Sequence, residues 1–101
     1  MPGLAKISLQ NFRSYEKRSF SFGEKTIIVG ENGSGKSNLI EAIYMGATGR
    51  SFRAERDSEM IRYGEQFSIL NLQFSNNDQN SNLQITITDR KKFEVNGVPR
   101  R

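Results

Sequence analysis

The sequence predicts an α/β fold in which a mixed β-sheet carries one long helix. Residues 4–9 and 19–22 alternate apolar and polar side chains, the pattern of half-buried antiparallel strands. Residues 26–29 form a continuous, β-branched apolar run, as expected of a strand buried on both faces, and lead into a glycine-rich loop. Alternation returns over residues 67–74 and 83–88, which predicts two further strands.

A helix is predicted directly after the glycine-rich loop, over roughly residues 36–47. Its apolar side chains recur at helical spacing: Leu39, Ile40, Ile43 and Tyr44. Gly46 and Gly49 are the expected stop signals. The acidic residue in this stretch, Glu41, is expected on the solvent-facing surface of the helix.

The loops and turns between these elements are also predicted from local residue patterns. The basic stretch 49–57 is expected to be a loop, with a short helical turn following within 57–62. The polar stretch 75–82 predicts a hairpin connection. The Asn-Gly pair at 96–97 is the preferred pair for a two-residue type I′ turn, so a partner strand should begin at Val98.

Composition excludes several kinds of chemistry. The 101 residues include no Cys and no His, which rules out disulfides, Cys/His zinc sites, thiol nucleophiles and histidine bases. No apolar run approaches the roughly 20 residues of a membrane-spanning helix, and the N-terminus lacks a signal-peptide pattern. We therefore expect a cytoplasmic protein without a membrane partner. The net charge of +4 suits an anionic partner such as nucleic acid.

Residues 30–37, Gly-Glu-Asn-Gly-Ser-Gly-Lys-Ser, satisfy the phosphate-binding pattern G-x-x-x-x-G-K-[ST]. The glycines let backbone N–H groups wrap around phosphate oxygens at the start of a helix, and the lysine adds a cation to the β- and γ-phosphates. The serine hydroxyl is placed to bind Mg²⁺. The predicted cofactors are ATP and Mg²⁺, and Ser37 is the predicted metal ligand. The predicted binding residues are Gly30, Glu31, Asn32, Gly33, Ser34, Gly35, Lys36, Ser37 and Asn38.

The segments around this loop closely resemble the N-terminus of the RecF family of bacterial DNA replication and repair proteins. The resemblance rests on residues 7–15, 38–44, 47–53 and 56–64, and extends more broadly to the ATPase heads of SMC and double-strand-break repair proteins. It implies that residues 1–101 form the first lobe of an ABC-type ATPase head. It also implies that Arg13 lies near the nucleotide phosphates.

The same resemblance implies partners. RecF-type proteins bind DNA at single-strand/double-strand junctions and gaps, act with RecO- and RecR-type mediators, and dimerise by sandwiching ATP between two heads. It also suggests a link to the SOS response. Three arginines after the predicted helix are candidate DNA contacts, or else solvated loop residues: Arg50, Arg53 and Arg56.

Two motifs of a working head are not found among the 101 residues. No apolar strand ends in adjacent acidic residues, as a Walker B strand does, and no Leu-Ser-Gly-Gly-type signature occurs. We therefore expect a truncated head with no ATP turnover of its own. The alternatives are an SMC-like or other ABC-type head, a small-molecule kinase and a non-catalytic remnant. Two antiparallel strands before the phosphate loop disfavour the kinase.

Overall fold

The computed structural model describes residues 3–22, 34–76 and 79–100. The predicted strand at 26–29 lies outside these ranges. The elements, in chain order, are β1 (Leu4–Phe12), β2 (Tyr15–Ser21), helix α1 (Ser34–Thr48), a 3-10 helix (Asp57–Met60), β3 (Ser68–Asn76), β4 (Gln79–Ile87), β5 (Lys91–Val95) and β6 (Val98–Arg100). No helix among the described residues is long and apolar enough to cross a membrane.

The described strands form one six-stranded sheet in the order β2-β1-β3-β4-β5-β6, and each neighbouring pair is antiparallel. The predicted antiparallel pairing of the first two strands is confirmed. Both strands are longer than predicted, because backbone pairing continues through polar positions as far as Phe12 opposite Tyr15. Only Arg13 and Ser14 remain in the turn.

The hairpin predicted at 75–82 is confirmed as the β3–β4 hairpin, but strand pairing extends into that stretch. Most of that polar stretch is paired strand, and the ladder reaches Asn76 opposite Gln79. Polar side chains support the pairing here, since the Asn82 Nδ2 donates to the Asn71 Oδ1 across the strands at 2.7 Å. Apolar alternation predicted only the half of this hairpin that carries buried side chains.

Helix α1 shares a core with one face of the sheet. The helix contributes Leu39, Ala42 and Met45, all buried. The sheet contributes the buried side chains Ile7, Leu9, Leu70, Leu72, Ile85 and Ile87. The aromatic residues of the first hairpin pack in or against this core: Phe12, Tyr15, Phe20 and Phe22.

Gly46 lies inside α1, so its prediction as a stop signal is wrong. A Cβ built at this position would stand 2.2 Å from the Cδ2 of Leu72, a fully buried side chain of β3. The glycine is required because the helix backbone approaches the sheet closely there. Gly49 is the actual stop: its φ is +78°, and its N–H donates to the Met45 carbonyl at 2.7 Å.

Two other local predictions are confirmed. The helical turn expected within 57–62 is the 3-10 helix at Asp57–Met60. The Asn-Gly pair forms the two-residue turn between β5 and β6, with φ of 51° at Asn96 and 81° at Gly97, and β6 begins at Val98. Positive φ at both central residues is the requirement of a type I′ turn.

Candidate nucleotide-binding site

The end of the predicted phosphate loop forms the first turn of α1. Gly30, Glu31, Asn32 and Gly33 lie outside the described residues, and the helix begins at Ser34. Lys36 lies in the first turn of this helix, and the next residue, Ser37, is exposed. The first N–H groups of a helix have no partner within it and carry the positive end of its dipole, so this end favours an anion.

Ser37 also fits the magnesium role predicted for it. A Mg²⁺ that bridges nucleotide phosphates keeps several waters and needs only one or two protein oxygens. An exposed hydroxyl in the first turn of the helix can supply one of them. Among the described residues, no group of three or more acidic side chains forms a separate metal site.

Glu41, two turns into α1, is buried with 0% of its side chain exposed. Its placement on the helix surface was therefore a wrong prediction. The Arg13 Nε donates to Oε1 at 2.8 Å and the Arg13 Nη2 donates to Oε2 at 2.7 Å, a two-point contact. The Arg53 Nη2 donates to Oε1 at 3.0 Å and the Ser51 Oγ donates to Oε2 at 2.5 Å. The two carboxylate oxygens thus accept four hydrogen bonds.

These contacts decide the charge of the carboxylate. Burial alone would raise the pKa of Glu41, but the hydrogen bonds from Arg13, Arg53 and Ser51 outweigh it and lower the pKa from 4.5 to about 2. The same hydrogen bond to Glu41 raises the pKa of Arg13 above its ordinary value. Glu41 is therefore ionised at neutral pH and paired with arginines that remain charged.

Arg13 reaches Glu41 from a turn with an unusual backbone. Asn11 has a φ of 53° and Arg13 a φ of 51°, in the left-handed region that residues with a Cβ rarely adopt. Backbone hydrogen bonds hold the turn in place: the Arg13 N–H donates to the Met60 carbonyl at 2.9 Å, and the Arg62 N–H donates to the Asn11 carbonyl at 2.7 Å. The segment around the 3-10 helix thus stabilises the conformation that directs Arg13 towards α1.

Asn38 connects this group to the start of the helix. Its Nδ2 donates to the Ser14 Oγ at 2.8 Å, and its Oδ1 accepts a hydrogen bond from the Arg53 Nη2. That same Arg53 nitrogen also donates to Glu41, so the carboxylate and the Asn38 side chain share one donor. Asn38 is the residue directly after Ser37. We call the set formed by Arg13, Asn38, Glu41, Ser51 and Arg53 the arginine cluster. Its two cations and one anion leave a net charge of +1.

The structure divides the three arginines predicted to contact DNA. Arg53 belongs to the arginine cluster, and 35% of its side chain is exposed. Arg50 and Arg56 are exposed, and their side chains form no hydrogen bond or ion pair with the part of the chain that the structure describes. Nearby, the Lys91 Nζ donates to the Gly49 carbonyl at 2.7 Å and lies 3.4 Å from Asp57, which fastens this loop to β5.

Sequence reasoning missed Glu41 and Ser51 as parts of the site. A signal was present, since Asn38, Glu41 and Met45 follow one another at spacings of three and four residues and share the buried face of the helix. Only apolar residues were counted in the helical pattern. The buried position of Glu41 was therefore overlooked.

A sheet of antiparallel strands that carries a helix starting in a phosphate-binding loop defines the class of the protein. It is the N-terminal lobe of an ABC-type ATPase head. The model of the family described as "RecF/RecN/SMC N terminal domain" matches residues 3–97. The chain belongs to this family.

Curated relatives place the similarity at the start of RecF. The chain is 38% identical over 98 residues to the DNA replication and repair protein RecF of Clostridioides difficile, covering 95% of this chain and 26% of that protein. It is 38% identical over 95 residues to RecF of Bacillus cereus, covering 92% and 25%. The chain therefore spans about a quarter of the length of these relatives.

Solved structures of RecF and of an SMC head domain share the fold of this chain. The recombination mediator protein RecF–ATPrS of the RecFOR pathway superposes with a TM-score of 0.87 at 30% identity, covering 97% of this chain and 28% of that one. The SMC head domain from Thermotoga maritima superposes with a TM-score of 0.78 at 29% identity, covering 100% and 39%.

Proposed function

We propose that this chain is the ATP-binding N-terminal lobe of a RecF-like protein of DNA replication and recombinational repair. The observation that carries the proposal is the sequence of residues 30–37 at the start of α1. The helix end favours phosphate, Lys36 supplies a cation, and the arginine cluster adds a net charge of +1 close by. The RecF–ATPrS and RecF–ATP structures support ATP as the nucleotide.

The proposed lobe binds ATP and Mg²⁺ without hydrolysing ATP by itself. Hydrolysis in such a site needs groups that orient the metal and the attacking water. The 101 residues contain no apolar strand ending in adjacent acidic residues. We expect no Lys36-dependent release of phosphate from ATP by this chain. Measurable Lys36-dependent turnover would contradict that part of the proposal.

Titration of the chain with Mg·ATP, followed calorimetrically, tests the binding step. We expect Lys36→Ala to weaken binding by about 30-fold or more, because it removes a charge-assisted hydrogen bond to phosphate worth roughly 2 kcal/mol or more. Lys92→Ala is the matched control, since it removes one exposed lysine from β5 and lowers the net charge equally. Equal affinities of Lys36→Ala and Lys92→Ala would refute the proposed role of the loop.

DNA binding is the second part of the proposed function. Arg50 and Arg56 are the exposed cations that the cluster leaves unpaired in the described structure, so they are the better candidates for binding DNA phosphates. Replacing both with Gln should reduce the slope of log affinity against log salt by about 0.7–0.9 for each phosphate that the protein no longer neutralises. An unchanged slope would assign both arginines to solvent.

The remaining parts of the proposed function are inferred from the RecF relatives. They are an ATP-dependent homodimer, assembly with RecO- and RecR-type mediators at single-stranded or gapped DNA, and action in the cytoplasm during DNA repair. An SMC-like head is the second candidate, supported by the Thermotoga maritima superposition, which has a lower TM-score than the RecF structures.

A further inference from the structure

A carboxylate buried in the middle of α1, in a hydrogen-bond network that reaches Asn38 beside the phosphate-binding end, needs an explanation. An anion there opposes the binding of another anion, and its burial is costly unless its oxygens are paired. Glu41 is nevertheless fully buried, and it accepts from the same Arg53 nitrogen as Asn38, the residue after Ser37. A purely electropositive site would gain by having a neutral residue at this position.

The geometry of the contact between Arg13 and Glu41 explains why a carboxylate is buried here. Arg13 presents its Nε–Nη2 edge to the two oxygens of Glu41, at 2.8 and 2.7 Å. A two-point contact fixes the plane of a guanidinium, whereas a single contact leaves it free to rotate. The remaining nitrogen, Nη1, lies on the side away from the carboxylate. It has no hydrogen-bond partner among the described residues.

We propose that Glu41 is a positioning residue for the nucleotide: it holds Arg13 so that Nη1 is presented to the phosphates bound at the start of α1. The inference rests on the proposed ATP binding. Glu41 does not touch the nucleotide and acts through Arg13. Because the arginine is already ordered in the free protein, phosphate binding does not have to restrict its rotamers.

Ser51 and Arg53 complete the support. They donate to the oxygens of Glu41 from the loop after α1, at 2.5 and 3.0 Å. The Ser51 Oγ also accepts hydrogen bonds from the backbone N–H groups of Arg53 and Ala54, at 3.1 and 3.0 Å, which shapes that loop. The carboxylate is therefore held by two donors besides Arg13, so Arg13 has a fixed partner.

The variant Glu41→Gln separates positioning from charge. It keeps the shape of the side chain and raises the net charge beside the phosphate site by one. A role through charge alone predicts tighter Mg·ATP binding, and a role confined to stability predicts unchanged affinity of the folded protein. Positioning predicts affinity weaker by about tenfold, because the Arg13–phosphate hydrogen bond is loosened and not removed. Tighter or unchanged binding would overturn the proposal.

A double-mutant cycle tests whether Glu41 acts through Arg13. In the background of Arg13→Gln, the further change Glu41→Gln should alter Mg·ATP affinity by less than about twofold. An undiminished tenfold loss in that background would show that Glu41 acts on the nucleotide by another route. Glu16→Gln, at an exposed position on β2, is the charge-matched control and should leave the affinity unchanged.

Arg13→Lys keeps the proposal testable if Glu41→Gln does not fold. It preserves both charges and removes the two-point contact, so affinity for Mg·ATP should fall by about fivefold or more. Unchanged affinity would overturn the positioning role. The outcomes also separate the two proposals: an unmodified chain that binds no Mg·ATP refutes the proposed function, whereas binding that is insensitive to all these variants refutes only the role of Glu41.

Discussion

The turn between β1 and β2 and the turn between β5 and β6 both place non-glycine residues at positive φ, but for opposite reasons. At the second turn, Asn96 and Gly97 have φ of 51° and 81°, and both residue types tolerate this conformation. At the first turn, Arg13 has a φ of 51° with no such local preference. Hydrogen bonds from distant segments hold it there.

The difference shows where a functional site can be expected. The β5–β6 hairpin is a place where local preference and overall fold agree. Around Arg13 the fold overrides local preference and buries a carboxylate with two arginines. Conflicts between local and global preference tend to occur at functional sites. The contrast between the two turns therefore supports a binding role for the first.

The largest effect is expected from Glu41→Ala. It leaves two arginines facing a space that no longer holds their anion, and breaking a buried ion pair in this way costs about 3–5 kcal/mol of unfolding free energy. Urea unfolding followed by circular dichroism measures it. Glu16→Ala, at an exposed site, should change the unfolding free energy by less than about 0.5 kcal/mol. Similar values for the two variants would mean that the cluster does not stabilise the fold.

The pH dependence of stability should carry the signature of Glu41. Its pKa is about 2 in the folded chain and ordinarily 4.5, so its contribution is fully present above pH 4.5 and is lost as the pH falls from 4.5 to 2. The contribution is on the order of 3 kcal/mol. Unfolding free energies measured across this range should fall less steeply for Glu41→Gln than for the unmodified chain. Parallel curves would exclude Glu41 as the source.

Gly46→Ala tests the close approach of α1 to the sheet. Helix propensity alone predicts a gain of about 1 kcal/mol. The new Cβ would meet the buried Leu72 side chain, so we expect a net loss of about 1–3 kcal/mol instead. Ala47→Gly, at the neighbouring exposed position, should follow propensity and lose up to about 1 kcal/mol. A more stable Gly46→Ala variant, by thermal unfolding, would refute the close contact.

The smallest effect is expected at the local turn. Gly97→Ala should lower the unfolding free energy by about 1–2 kcal/mol, the cost of a left-handed residue with a Cβ. Its affinity for Mg·ATP should not change. Arg13→Gly relieves the same backbone cost but removes the ion pair with Glu41, so it should destabilise the chain and weaken Mg·ATP binding. A more stable Arg13→Gly variant would remove the distinction between the two turns.

Much of the fold follows from local patterns in the sequence. Alternation located parts of β1 to β4, helical spacing located α1, and the Asn-Gly pair located the last hairpin together with the first residue of β6. The phosphate loop could be predicted because its chemistry lies within eight consecutive residues, and it stays a prediction. Each of these signals is contained in a short stretch of chain.

The rest depends on contacts between distant segments. Glu41 was expected in solvent because its neighbours in sequence do not reveal Arg13, which is 28 positions away, or Arg53, which is 12 positions away. Gly46 was expected to end the helix because its close neighbour, Leu72, lies on another element. In both cases the residue type is explained by a tertiary contact that periodicity does not encode.

A nuclear magnetic resonance titration of the 15N-labelled chain with Mg·ATP tests the central claim most directly, because it observes both turns in one experiment. The account predicts that backbone amide signals shift at Lys36, Ser37 and Asn38 and at Arg13 and Ser14, while those of residues 91–100 stay in place. Shifts confined to 91–100, or no shift in the first two turns of α1 at saturating Mg·ATP, would contradict it.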